Sequence, residues 1–167
     1  MSTHRGPADT FEKARAAAAA LLLSAALAVI TGCFLDWVTI TEQPDVLPTE
    51  ATAGPGTRQL TEPFNGMDTG DGKFLVAGSV ILLALALLLH VRKKSLYGWL
   101  AFLTSFVMGI IGIADYRGIA GETIELKGID VIGKTEPALG ITLVAAGCLI
   151  GLIAALIGVA GSPRETD

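Results

Sequence analysis

Residues 16–35 run without a single charged side chain, and so do residues 74–91, 96–114 and 138–161. Stretches of this length constrain the chain more than anything else in it. An α-helix rises 1.5 Å per residue, so roughly 20 apolar residues match the ~30 Å hydrocarbon core of a bilayer. Buried helices of a water-soluble protein normally keep a polar stripe toward solvent, and these blocks have none. Charged residues make up only 17% of the chain, against about 25% in soluble domains, and they are confined to the two ends and the segments between the blocks. The expected fold is therefore an all-α membrane protein, a four-transmembrane-helix bundle. The lipid bilayer is its first partner.

The segmentation that follows is a tail over 1–13, spans over 14–35, 73–91, 96–114 and 138–161, and a final tail over 162–167. Between the spans lie a long loop over 36–72, a turn over 92–95 and a second loop over 115–137. The turn is short enough to force the second and third spans to be antiparallel neighbours. It also carries Arg92, Lys93 and Lys94, pressed between two spans. Lys and Arg near span ends set orientation, so these three residues are the topology determinants. They place the turn and both termini in the cytoplasm of a bacterial cell membrane, crossed four times. A basic triplet in that position is a topology signal and not a nucleic-acid site.

The two loops then face outward, and carboxylates such as Asp36, Glu42, Asp45 and Glu50 dominate them. Pro44, Pro48, Pro55 and Pro63 keep the middle of the first loop from being helical. Its start, Trp37-Val38-Thr39-Ile40-Thr41, alternates and is β-branched, as strands are. Residues 58–64 offer a weaker strand, and Asn65-Gly66 is a turn signal. In the second loop, Glu122 to Lys127 alternates in the same way, followed by Ile129-Asp130-Val131. The expectation is a small external β-structure shared by the two outer loops. At the helix ends, Asp9 or Thr10 is the expected cap of the first span. Trp37, Tyr97, Trp99 and Tyr116 are the expected interfacial anchors.

On the fourth span, Gly140, Gly147, Gly151 and Gly158 recur at spacings of seven, four and seven, on one helix face. This is a helix-packing seam, in which small residues let backbones approach within lipid. Its partner is either the alanine-rich first span with Gly32, or another protein or a second copy. Gly109 and Gly112 form a lesser version on the third span.

Ile30-Thr31-Gly32-Cys33 fits a bacterial lipobox after an apolar run with Arg and Lys upstream, which makes Cys33 a candidate lipidation site. The run continues through Phe34 and Leu35, long enough to span, and this favours an ordinary helix cysteine. Cys33 and Cys148 stand at different depths, which argues against a disulfide. With two cysteines and two histidines no zinc set is expected. Asp68-Thr69-Gly70-Asp71-Gly72-Lys73 fits neither a calcium loop nor a phosphate loop, and reads as a turn into the second span. No Asp, Glu, Lys or Arg stands in the interior of a span, and no Ser/His/Asp or Cys/His set is present for nucleophilic catalysis. Asp36, Asp71 and Asp115 are the only groups to nominate for chemistry at the interface. No cofactor, metal or catalytic residue is expected.

Leu35-Asp36-Trp37-Val38 after the first span, Gly66-Met67-Asp68-Thr69-Gly70-Asp71-Gly72 before the second, Asp115 at the end of the third, and Val131-Ile132-Gly133 before a Gly-rich fourth make a pattern. It resembles that of the uncharacterised small four-transmembrane-helix membrane proteins of actinobacteria, over most of the chain. Those proteins often have Pro before the Trp, where this chain has Asp36. The resemblance implies a four-helix fold and brings no catalytic residues. The long first and shorter second outer loops are also similar to those of claudin-like proteins, without the paired cysteines of their first loop. The functional expectation is a non-enzymatic accessory or scaffold protein of the cell envelope, working with a membrane-protein partner or as a homo-oligomer. The alternative is a small oligomeric transporter or channel.

Overall fold

A computed structural model of the chain describes residues 7–42, 64–120, 123–125 and 132–162. Four helices account for most of it: α1 (Pro7–Phe34), α2 (Gly70–Arg92), α3 (Ser95–Ile119) and α4 (Leu139–Ala160). All four are long and apolar enough to cross a membrane. They run alternately up and down, and each packs against two neighbours in the ring α1–α2–α3–α4, closed by α1 against α4. The α1/α4 contact is the most extensive.

The distribution of side chains identifies the solvent. Phe74, Leu139 and Leu87 are 70%, 66% and 63% exposed, whereas Ser79 and Ser105 are fully buried and Gly72, Gly98, Gly112 and Gly147 are buried. Large apolar groups cover the outside as well as the core, and the small and uncharged polar ones are turned inward. That is the reverse of what water imposes, and it is what lipid permits, because tight contact between small residues drives helix association there. The molecule is a multi-pass integral membrane protein.

At one end, where the α2–α3 turn lies beside the start of α1 and the end of α4, stand Lys13, Arg15, Arg92, Lys93 and Lys94. We call this the basic end. The opposite end carries a four-stranded antiparallel sheet built from β1 (Asp36–Glu42), β2 (Phe64–Asn65), β3 (Thr123–Glu125) and β4 (Ile132–Pro137), in the order β2-β1-β4-β3. The central pair joins the first loop to the second, with Thr39 opposite Glu136 and Ile40 opposite Thr135. Pairing between the two loops thus occurs as the alternation at Trp37–Thr41 suggests. The partner strand, however, starts at Ile132, just beyond the 129–131 segment. That segment and most of 58–64 lie outside the described residues.

Several local expectations need correction. Helix α1 already begins at Pro7, so Asp9 and Thr10 stand inside it and not at the position before its first residue. Proline suits the first helical position, where its missing N–H is not needed. Helix α3 continues past Ala114 to Ile119, which makes Asp115, Tyr116 and Arg117 helical residues. At the basic turn, Lys93 caps α2 in the left-handed conformation, with φ 59°.

Candidate functional site at the sheet-capped end

Trp37 is the centre of the sheet-capped end. It is 1% exposed, so it is not the interfacial anchor its position implies. Its Nε1 donates to the Gly32 carbonyl at 2.9 Å, satisfying the indole inside the fold. The ring lies against Gly66, where any Cβ would run into the indole. Its backbone carbonyl accepts from Ala138 N at 2.9 Å, which fixes the start of α4 to β1.

The Gly66–Gly72 segment is explained by this packing. Asn65 caps a short 3-10 helix (Gly66–Asp68), its side chain accepting from Met67 N at 2.9 Å while Asp68 Oδ2 accepts from Asn65 N at 3.2 Å. Thr69 then caps α2: its Oγ1 accepts from Gly72 N at 3.0 Å and donates to the Gly66 carbonyl at 2.7 Å. Gly72 has to be glycine, because a Cβ would collide with the Gly66 backbone. Asp68 is therefore committed to a capping box. The motif behind the resemblance is a folding device for re-entering the bundle.

Asp71, in the first turn of α2, and Asp115, in the last turns of α3, have carboxyl groups within hydrogen-bonding reach of each other. Asp115 Oδ2 is buried and accepts no hydrogen bond. An ionised carboxylate only accepts, so a bond between the two needs a proton on one of them. Asp36, the third nominated acid, is exposed and contributes its backbone: its carbonyl lies 2.7 Å from where a Cβ on Gly140 would stand. Thr135 Oγ1 donates to the Ile119 carbonyl at 2.6 Å, tying β4 to the end of α3. Among the described residues no group of three or more His, Cys, Asp or Glu could hold a metal ion.

All four seam glycines are buried, and their faces are occupied within this chain. A Cβ on Gly140 would meet the Gly32 and Leu35 carbonyls at 2.7 Å. On Gly147 it would meet Val29 Cγ2 at 2.7 Å and the Ala25 carbonyl at 2.9 Å. Gly151 would meet Ser105 Oγ at 2.6 Å, and Gly158 would meet Leu89 Cδ2 at 2.7 Å. The seam is the axis of the bundle, closed mainly by α1. It is not a face open to a second protein. Ser105 Oγ, sealed above Gly151, has no hydrogen-bond partner.

Cys33 and Cys148 are both buried free thiols. Cys33 sits inside α1 on the stretch where Gly32 touches α4, with Val144 N 3.1 Å from a Gly32 Cβ position. The lipobox is thus wrapped into the helix.

Arg15 is the residue that sequence reasoning passed over. It lies within the Thr10–Phe34 span and is only 8% exposed. Its Nη1 donates to the Gly161 carbonyl at 3.1 Å, just beyond the end of α4. Its spacing to Ala18, Leu22, Ala25 and Val29, all buried, was the available signal: it stands on the inward stripe of α1. Arg92, Lys93 and Lys94, by contrast, are exposed at the same end of the bundle.

Compared with known proteins, the chain matches no family model, no curated protein and no solved structure. Its class, a four-span integral membrane protein with a sheet-capped end, rests on its own geometry.

Proposed function

We propose that the protein is a non-enzymatic accessory or scaffold component of a bacterial cytoplasmic membrane, presenting its β-sheet outward to a membrane-protein partner or a second copy. One observation carries this reading. The α1 and α4 backbones meet along the bundle axis, with the Ala25 carbonyl 2.9 Å from a Gly147 Cβ position. Contact that close leaves no lumen between these two helices, and the bond from Ala138 N to the Trp37 carbonyl ties α4 to the sheet. The exposed Arg92, Lys93 and Lys94 support a cytoplasmic basic end, with both termini on that side.

The test is purification through a C-terminal tag in mild detergent, followed by mass spectrometry of the intact assembly. A stoichiometric partner or a defined homo-oligomer is the expected result, and a bare monomer overturns the scaffold reading. Alkaline phosphatase fused to the C-terminus should be inactive, and an active fusion reverses the orientation. A second reading, a small oligomeric transporter, draws on the Asp71–Asp115 pair, because carboxyls at the edge of a span are the groups proton relays use. Proton or solute flux in liposomes would favour it.

A further inference from the structure

The guanidinium of Arg15 is an unfinished site. Arginine carries five N–H donors in a fixed plane and stays charged. One donor from Nη1 is used by the Gly161 carbonyl. That bond and the negative end of the α4 dipole offset part of the charge. The remaining donors find no acceptor among the described residues. None of their nitrogens is sealed inside the bundle without a partner, so the free edge reaches the bundle surface. Glu12, one turn earlier on α1, is exposed and is not among the partners of Arg15. A charge that is nine-tenths buried is strongly unfavourable without an anion.

The surroundings specify the anion. Leu89 of α2 and Ala18 of α1 both touch the Gly158 position on α4. One turn further toward the basic end, α1 reaches Arg15 and the end of α2 reaches Arg92 and Lys93, both exposed. The site thus lies where a span leaves the hydrocarbon, which is the depth of lipid phosphates. Guanidinium groups hold phosphate through paired, charge-assisted hydrogen bonds, and basic pockets between spans hold anionic head groups.

We propose that Arg15, flanked by Arg92 and Lys93, binds the phosphate of an anionic phospholipid at the basic end of the bundle. This does not depend on the scaffold reading or on the orientation of the chain.

The test uses the full chain in dodecyl maltoside, with the thermal midpoint followed as phosphatidylglycerol, phosphatidylcholine or inorganic phosphate is added. Phosphatidylglycerol should raise the midpoint saturably, and the other two should not. Arg15→Gln should weaken phosphatidylglycerol binding roughly tenfold, the loss of about one charge-assisted hydrogen bond. Arg15→Gln also touches the Gly161 contact, so Arg92→Gln with Lys93→Gln serves as the second variant. These exposed positions should leave the lipid-free midpoint in place and still weaken binding. Equal shifts with phosphatidylcholine, or undiminished phosphatidylglycerol binding in both variants, would overturn the proposal. A full response to inorganic phosphate would overturn the lipid source.

Discussion

Asp71 and Asp115, forty-four residues apart in sequence, bring their carboxyl groups within hydrogen-bonding reach where α2 begins and α3 ends. Two acceptors face each other there, and Asp115 Oδ2 has no donor. Asp115→Asn supplies an N–H₂ donor to Asp71 without changing the shape of the side chain. The expected result at neutral pH is a gain of about 0.5–1.5 kcal/mol, read as a higher thermal midpoint in mild detergent. A lower midpoint would mean that the pair is held by a shared proton that the amide does not replace.

Gly147→Ala should be among the most damaging single-methyl changes in the chain. Its Cβ would lie 2.9 Å from the Ala25 carbonyl, which is backbone and cannot swing aside. Separating α1 from α4 should lower stability by about 1–3 kcal/mol. Gly109→Ala is the control, since its Cβ would sit 3.8 Å from Cys148 Cβ in ordinary contact. It should be neutral or slightly stabilising. Equal losses in the two variants would contradict the geometry of the seam.

Trp37→Phe keeps most of the apolar volume and removes the donor to the Gly32 carbonyl. The carbonyl keeps only the longer bond from Leu35 N at 3.3 Å, and the loss of one buried hydrogen bond costs about 0.5–1.5 kcal/mol. Protease sensitivity of the sheet end should rise along with the drop in midpoint. Unchanged sensitivity would show that the sheet does not depend on the indole.

Lys93→Gly relieves a left-handed backbone conformation at a non-glycine residue. It should stabilise the lipid-free protein by roughly 0.5–1 kcal/mol. Chemical denaturation in detergent provides the check, and destabilisation would mean that the Lys93 side chain contributes more than its backbone strain removes.

Cys33 should remain unmodified. Lipidation requires access to the Cys33 thiol, and cleavage requires access to the Gly32–Cys33 bond, yet Cys33 is fully buried and Gly32 is clamped against Gly140 and Val144. Intact mass spectrometry of the membrane-purified chain should find no diacylglycerol adduct, and Cys33→Ser should leave membrane localisation unchanged. An adduct lost in that variant would show that α1 is a cleaved leader.

The spans were legible because burial in lipid imposes a single crude requirement, length without charge, which residues 16–35 and 138–161 meet on their own. The strand at Trp37–Thr41 was legible from local alternation. What escaped notice depends on neighbours far away in the chain. Nothing near Ile132 says that β4 will pair with β1, and nothing near Trp37 says that Gly66 will leave room for its ring. The seam on α4 was visible as a pattern, but its partner was not, because a smooth face suits α1 and a second protein equally. Arg15 was hidden by its place just before the charge-free run, where a basic residue reads as a flanking topology charge and not as a buried group.

The α1/α4 seam also sets an order of events during synthesis. Helix α1 is made first, and the surface that receives it is made last. Until α4 enters the bilayer, the Ala25–Gly32 face of α1 has only lipid to pack against. Helices α2 and α3 can fold as a hairpin in the meantime, with α1 held only along its contact with α2. A chain stalled before Leu139 already holds all four strands of the sheet but leaves an open groove on α1, which the insertion of α4 closes.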